Sequence, residues 1–339
     1  MLILLASSLV ACSRASDIGI RSGSPADKLP EWITPLIAAP ALRPDWSVDG
    51  THLVYLDALV GNVYELNLET GDIRSLTKHF ESNGFTRARY LSNGDFLLCG
   101  PVSTSDESGN NGRWHTELWF LSGQGSNPPQ RLGEPCFEGP AVSRRDMKIA
   151  WTVSDYPNKI IFARSQIWTG RIEVTDDKAR IVDRQKRVDR SDFYYLAFLE
   201  TQDFRPPDDS ELLFTAYAYK GGEVMGIGLE SGKLTNYSQD WAYDEAEGVF
   251  PDGNSIAVER ELNTYSAVPK GDIDIWQLAL DGSGLSKRLT YFTEYAGFGA
   301  NNPVVSPDGS KMAFGLRVKG GEHGNAQGIL LYDFDKAPR

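Results

Sequence analysis

From residue 31 onward the hydrophobic positions fall into short apolar runs broken by Pro, Asp, Asn and Gly, and no stretch sustains a helical period. The sharpest unit is PVVSPDGSKMAF, residues 303–314: an apolar strand, a Pro-Asp-Gly turn and a second strand. The same grammar recurs as PDWSVDGTHLVY at 44–55, ARYLSNGDFLLC at 88–99, PAVSRRDMKIAW at 140–151, DFRPPDDSELLF at 203–214 and EGVFPDGNSIAV at 247–258. Asp, Asn or Gly stands at each turn, where a two-residue hairpin needs a positive φ or an Asx hydrogen bond. A third and a fourth strand follow, as in NVYELNLETG with DIRSLT and in DIDIWQLALDGSG with SKRLTYF.

The turn anchors Gly50, Gly94, Asp146, Asp209, Gly253 and Gly309 are separated by 44, 52, 63, 44 and 56 residues. Four short strands with their turns need about 40 residues, and the excess goes into loops. Sheets of this size cannot bury two apolar faces alone, so they are expected to stack radially. The pattern predicts an all-β, six-bladed β-propeller of four-stranded antiparallel blades. The last unit supplies only three strands, and EWITPLIAAP at 31–40 is the candidate for the missing one, closing the ring and removing its free edge.

SPDGSKMAF resembles the WD-like repeat of the TolB-type propeller superfamily, and the fifth and sixth units resemble it best, through DIDIWQLALDGSG, RLTYF and NNPVVSPDGSKMAF. The third and fourth units depart from it, with Arg144-Arg145-Asp146 and Pro207-Asp208-Asp209 at the turn. The resemblance spans roughly 43–335 and implies the fold; it says less about activity, because the superfamily holds binding proteins, oligogalacturonate lyases and peptidase propellers.

The first 30 residues have a different character. Residues 2–11, LILLASSLVA, form an apolar run shorter than the roughly 20 residues a membrane-spanning helix takes. Leu9-Val10-Ala11-Cys12 resembles the lipobox of bacterial lipoproteins, which implies lipidation of Cys12, although no Lys or Arg precedes the run as a secretory signal has. A cleaved soluble export signal and a plain apolar segment are the other readings. The expected organisation is a signal over 1–12, a Ser-, Gly- and Pro-rich tether over 13–30 and a single propeller over 31–339, in a periplasmic or cell-envelope protein held by lipid, or else secreted. Cys99 and Cys136 are then either a bridge formed in an oxidising compartment or two small buried residues.

The chain carries 34 Lys and Arg against 46 Asp and Glu, a net charge of −12, which argues against nucleic acid as a partner. Aligning the repeats on their turns puts Thr86, Glu138, Thr201, Glu245 and Asn301 in one ring at the channel mouth. Arg43, Arg87, Gln202 and Asn302 stand beside it, with Asp244 and Glu247 flanking. Such a lining suits a peptide terminus, a sugar acid or a cation, unless it is only the water and charge that narrow channels carry. The long loops 101–117, 153–166, 260–272 and 317–328 belong to the same face, where Trp114 and Tyr265 are candidate aromatic contacts for a partner.

No G-x-S-x-G or H-E-x-x-H occurs, so neither a hydrolase elbow nor that zinc motif is present. His79, His115 and His323, with Gln327 four residues after the last, are also assigned to the loop-bearing face. The resemblance to oligogalacturonate lyases, which hold manganese with several His and a Gln, makes these four residues a candidate site for a divalent cation, Mn or Ca; solitary exposed histidines are the simpler reading. The leading expectation is a cofactor-free binding or scaffold protein for an envelope protein, peptide or glycan, touching the membrane only through its lipid. The alternative is a metal-dependent polysaccharide lyase.

Overall fold

The computed structural model describes residues 21–81, 84–102, 114–123, 127–155, 164–194, 196–262, 271–321 and 326–338. Cys12, Tyr265, His323 and the apolar run at 2–11 lie outside the described residues.

Among the described residues the chain is all-β apart from short 3-10 turns. β1 is Ile33–Ile37. β2–β5 are Leu42–Trp46, His52–Leu56, Val63–Asn67 and Ile73–Ser75, and β6–β9 are Arg87–Tyr90, Phe96–Pro101, Thr116–Leu121 and Gln130–Cys136. β10–β13 are Ala141–Val142, Lys148–Ser154, Ser165–Thr175 and Lys178–Asp189, and β14–β17 are Phe198–Phe204, Glu211–Tyr217, Gly222–Gly228 and Leu234–Asn236. β18–β21 are Tyr243–Val249, Ser255–Glu261, Asp274–Ala279 and Ser286–Arg288, and β22–β24 are Phe298–Val305, Lys311–Val318 and Ile329–Asp333.

These strands form antiparallel meanders. Four sheets have four strands each, and the fifth, of eight, is β14–β17 joined to β18–β21 through one parallel pair, Gly222 with Tyr243. β1 pairs antiparallel with β24, so the N-terminal strand completes the sheet of the last repeat. Ahead of it, residues 21–30 touch the body: Arg21 donates its N–H to the Glu294 carbonyl at 2.7 Å, and Ser24 caps a 3-10 turn over Pro25–Lys28.

The core lies between repeats. One cluster joins Leu42, Val54 and Leu56 to Phe85, Phe96 and Trp119, and successive clusters link each repeat to the next. The last joins Val304, Ala313 and Ile329 back to Trp46, Leu53 and Tyr55 of the first. Each unit therefore buries its apolar faces against two neighbours and the ring closes, the architecture of a β-propeller.

The turn chemistry repeats faithfully. In every repeat an Asx side chain accepts the N–H two residues on: Asp49 from Thr51, Asn93 from Asp95, Asp146 from Lys148, Asp208 from Ser210, Asp252 from Asn254 and Asp308 from Ser310. The hairpins are not the expected two-residue type. Ser47, Phe250 and Ser306 donate to the carbonyls of His52, Ser255 and Lys311, closing four-residue loops. Within them Gly50, Gly253 and Gly309 follow an i→i+3 bond at φ of 72°, 69° and 75°, so a type I turn ends in a left-handed residue that favours Gly. Asp209 takes that place in the fourth repeat at φ 55°.

Cys99 on β7 and Cys136 at the end of β9 form a disulfide, with Cα atoms 5.8 Å apart, which decides between the two readings of the pair.

Candidate functional site

The innermost strands β2, β14, β18 and β22 share a feature that aims side chains at the channel. Their ladders to the next strand slip at Leu42/Asp45, Thr201/Asp203, Ala246/Gly248 and Asn301/Val304, so Arg43, Gln202, Glu247 and Asn302 sit in bulges. Arg43 and Asn302 hold φ of 54° and 47°, and Glu138, just ahead of β10, holds 56°. Side chains with a Cβ adopt this region rarely, and the surrounding sheet must hold them there.

The bulges and the strand beside them bring together one buried polar cluster. The Arg43 guanidinium donates to the Thr86 carbonyl at 2.6 Å and pairs with the Glu138 carboxylate. Arg87 donates Nε–H to the Glu138 carbonyl at 3.3 Å. A Cβ at position 139 would lie 2.8 Å from that Nε, so Gly139 makes the room Arg87 occupies. Beyond Glu138 stand Glu200 on β14, Glu245 and Glu247 on β18 and Glu259 on β19. The Gln202 side chain donates to Glu200 at 3.3 Å. Asn302 donates its N–H to Glu259 at 2.7 Å and its side-chain N–H to Glu247 at 3.3 Å. Oxygens of Glu245, Glu247 and Glu259 lie within 4.8 Å of one another.

So many carboxyls in a buried space bind their protons more tightly than free ones do. Burial pushes Glu247 up to about 7, against the pull of Arg87. It also raises Glu200, with Glu245 and Glu138 adding repulsion, and raises Glu259, with Glu245 and Glu247 adding to it. Glu245 is raised by burial despite hydrogen bonds from Tyr243 and Tyr217. An aromatic girdle backs these groups: Trp114 stacks on Phe137 at 5.4 Å, Phe137 meets Phe198 at 4.7 Å, and Tyr217 and Tyr243 lie 6.0 Å apart.

Arg43, Arg87, Glu138, Glu245, Glu247 and Asn302 thus converge as the turn alignment predicts. Asp244 does not. Alternation turns it away from the channel, where it is fully buried beside Arg260 at 3.5 Å. Asn301 turns toward Gly315, whose missing side chain leaves space for the Asn301 Oδ1. Thr201 bonds the Gly139 carbonyl of the preceding repeat at 3.2 Å. Trp114 serves the girdle, packed on Phe137. His79, beside Phe80 at 4.0 Å, and His115 are both exposed, and Gln327 is half-buried. Among the described residues the three-carboxylate group is the one set of three or more His, Cys, Asp or Glu ligands within reach of a common ion, and it contains no His.

Sequence alignment missed Glu200, Tyr217 and Glu259. Glu200 immediately precedes Thr201 on β14, one position from the ring the alignment selects. Tyr217 and Glu259 come from second strands, and nothing in a turn alignment marks them.

No protein-family model matches the chain. No curated protein matches it either. Solved structures do. An oligogalacturonate lyase in complex with manganese is 12% identical over 90% of this chain and 79% of its own, with a TM-score of 0.55. A gluconolactonase from Xanthomonas campestris is 14% identical over 89% and 88%, TM-score 0.54. Hydrazine synthase from Kuenenia stuttgartiensis is 13% identical over 83% and 77%, TM-score 0.50. At such identities the likeness speaks to the fold alone, and three unrelated chemistries on one scaffold underline it.

Proposed function

We propose that the chain is an exported, lipid-anchored six-bladed propeller that binds an envelope protein, peptide or glycan at the loop-side channel mouth. The eight-stranded sheet counts as two blades joined at one residue pair. The observation that carries the binding reading is the cluster itself: Glu138, Glu200, Glu245, Glu247 and Glu259 gather around Arg43 and Arg87, so an ammonium or a mixed-charge group finds more acceptors than donors. Cys12 after Leu9-Val10-Ala11 supports the anchor and the envelope address.

Affinity capture from an envelope extract tests the reading, with wild type compared to Glu245→Gln and Arg87→Gln. A partner enriched by wild type and lost from both variants is expected; equal recovery by all three would sink it. A Cys12→Ala variant is expected to leave the detergent phase.

A second reading, a metal-dependent enzyme of the polysaccharide lyase kind, draws on Glu245, Glu247 and Glu259. Three carboxylates are hard oxygen donors that fit Ca or Mn, and a structural neighbour is a manganese-bound oligogalacturonate lyase. Elemental analysis after chelator-free purification separates the two: a stoichiometric divalent ion favours this reading, and none removes it.

A further inference from the structure

The channel has a second mouth at the other end of the inner strands, ringed by the hairpin turns. A cavity of about 260 Å³ opens there, and every repeat contributes to its wall. Its rim is apolar, built from Val48, Val249, Val305, Pro207, Pro251 and Pro307.

The floor is charged but balanced. Arg89, Arg144 and Asp203 line it, and fully buried Asp45 stands behind, 2.5 Å from Arg144 and 3.3 Å from Arg89. Arg145 and Asp209, also in the wall, are engaged locally with the Pro207 carbonyl at 2.8 Å and the Ser143 hydroxyl at 2.6 Å. Two guanidiniums and two carboxylates cancel on the floor, as the Arg and Asp of the wall do, yet hydrogen bonding is incomplete. Arg89 Nε is buried without an acceptor among the described residues. Among the described residues Asp203 accepts only long bonds, 3.4 Å from Arg89 and 3.4 Å from the Val249 N–H. The Arg144 side chain is 32% exposed and meets Asp45 and the Trp46 carbonyl through its two terminal nitrogens.

We propose that this turn-side pocket binds a small uncharged amphiphile: an apolar body ending in a group that both donates and accepts hydrogen bonds, such as a primary carboxamide. The body matches the valine and proline rim. The head donates to Asp203 and accepts from Arg144, the more exposed of the two floor arginines, adding to bonds the protein itself makes weakly. A charged head would unbalance a floor whose charges already cancel, at a cost that dry surroundings magnify. The site is distinct from the loop-side cluster and does not depend on what binds there.

Three compounds with one apolar body test it: isobutyramide, isobutyrate and isobutylammonium, titrated against the full chain by ligand-observed NMR. Isobutyramide is expected to bind saturably, and the two ions about tenfold more weakly or not at all. Val48→Trp, at a rim position 36% exposed, is expected to fill the mouth and abolish amide binding without threatening the core. Asp203→Asn removes one negative charge and is expected to shift preference from the amide toward isobutyrate. Saturable binding of either ion as tight as the amide overturns the proposal, as do no binding by any compound, amide binding that survives Val48→Trp, and an unchanged preference in Asp203→Asn.

Discussion

Tyr217 and Glu245 meet at 2.7 Å from neighbouring repeats, and the same hydroxyl lies 2.6 Å from Glu200. A phenol has one proton to give, so it donates fully to only one of the two carboxyls at a time. The contact therefore links the two repeats through one hydroxyl, in a site where burial already raises both carboxyls and the phenol.

Tyr217→Phe keeps the ring and removes this bridge. Two buried carboxyls then lose a partner, and a loss of about 1–3 kcal/mol is expected. Chemical denaturation at pH 5.5 and pH 8 checks it. The loss should be larger at pH 8, where the carboxylates ionise without the hydroxyl.

The raised acids set the sign of the pH response. Glu247, Asp244 and Glu223 are each held up to about 7, chiefly by burial, so the folded chain keeps protons that the unfolded chain gives up near 4. Stability is full below that lower value and falls as pH rises through about 7. The turn carboxylates Asp49 and Asp308, lowered to about 2 by Ser and Thr hydrogen bonds, act in the opposite sense and lose their contribution only in stronger acid. Thermal unfolding is expected to peak near pH 5, with Tm roughly 5 °C lower at pH 8. A Tm that rises from pH 5 to pH 8 contradicts this.

Asp45 accepts from Arg144 and from the Tyr90 N–H at 2.9 Å, and pairs with Arg89, so it binds three repeats at the axis. Asp45→Ala leaves Arg144 without its carboxylate and Arg89 with only the long contact to Asp203, and is expected to cost about 3–5 kcal/mol. The denaturation midpoint measures it, and Asp45→Asn, which keeps the shape but not the charge, should recover only part.

The Cys99–Cys136 bridge closes a loop with a sequence separation of 37 residues. Chain entropy places its contribution at about 4 kcal/mol. Cys99→Ser with Cys136→Ser, or unfolding under reductant, should lower the denaturation midpoint accordingly; an unchanged midpoint would show that packing alone holds these strands.

Local chemistry made much of the fold readable. The Asx turns at Asp49, Asn93, Asp146, Asp208, Asp252 and Asp308 recur because a short side chain satisfies its own backbone two residues on, an interaction that needs no tertiary partner. Alternating apolar strands between them announced four-stranded units, and the strand missing from the last repeat pointed to 31–40, where β1 does pair with β24. Hairpin length was not legible, because the same turn residues suit two-residue loops and the four-residue loops the structure shows.

The candidate site divides along the same line. Charge, composition and the order of strands were properties of the chain by itself, as was the placing of Arg43, Arg87, Glu138, Glu245, Glu247 and Asn302 near one mouth. Only the tertiary structure decided which side chains face the channel, because bulges at Gln202, Glu247 and Asn302 break the two-residue period on which facing is read. It alone brought Glu259 and Tyr217 from second strands to the cluster, turned Asp244 toward Arg260, and set Arg89 against Asp203 across 114 residues of chain. Such contacts depend on how far each sheet rotates about a common axis, a quantity that no local pattern encodes.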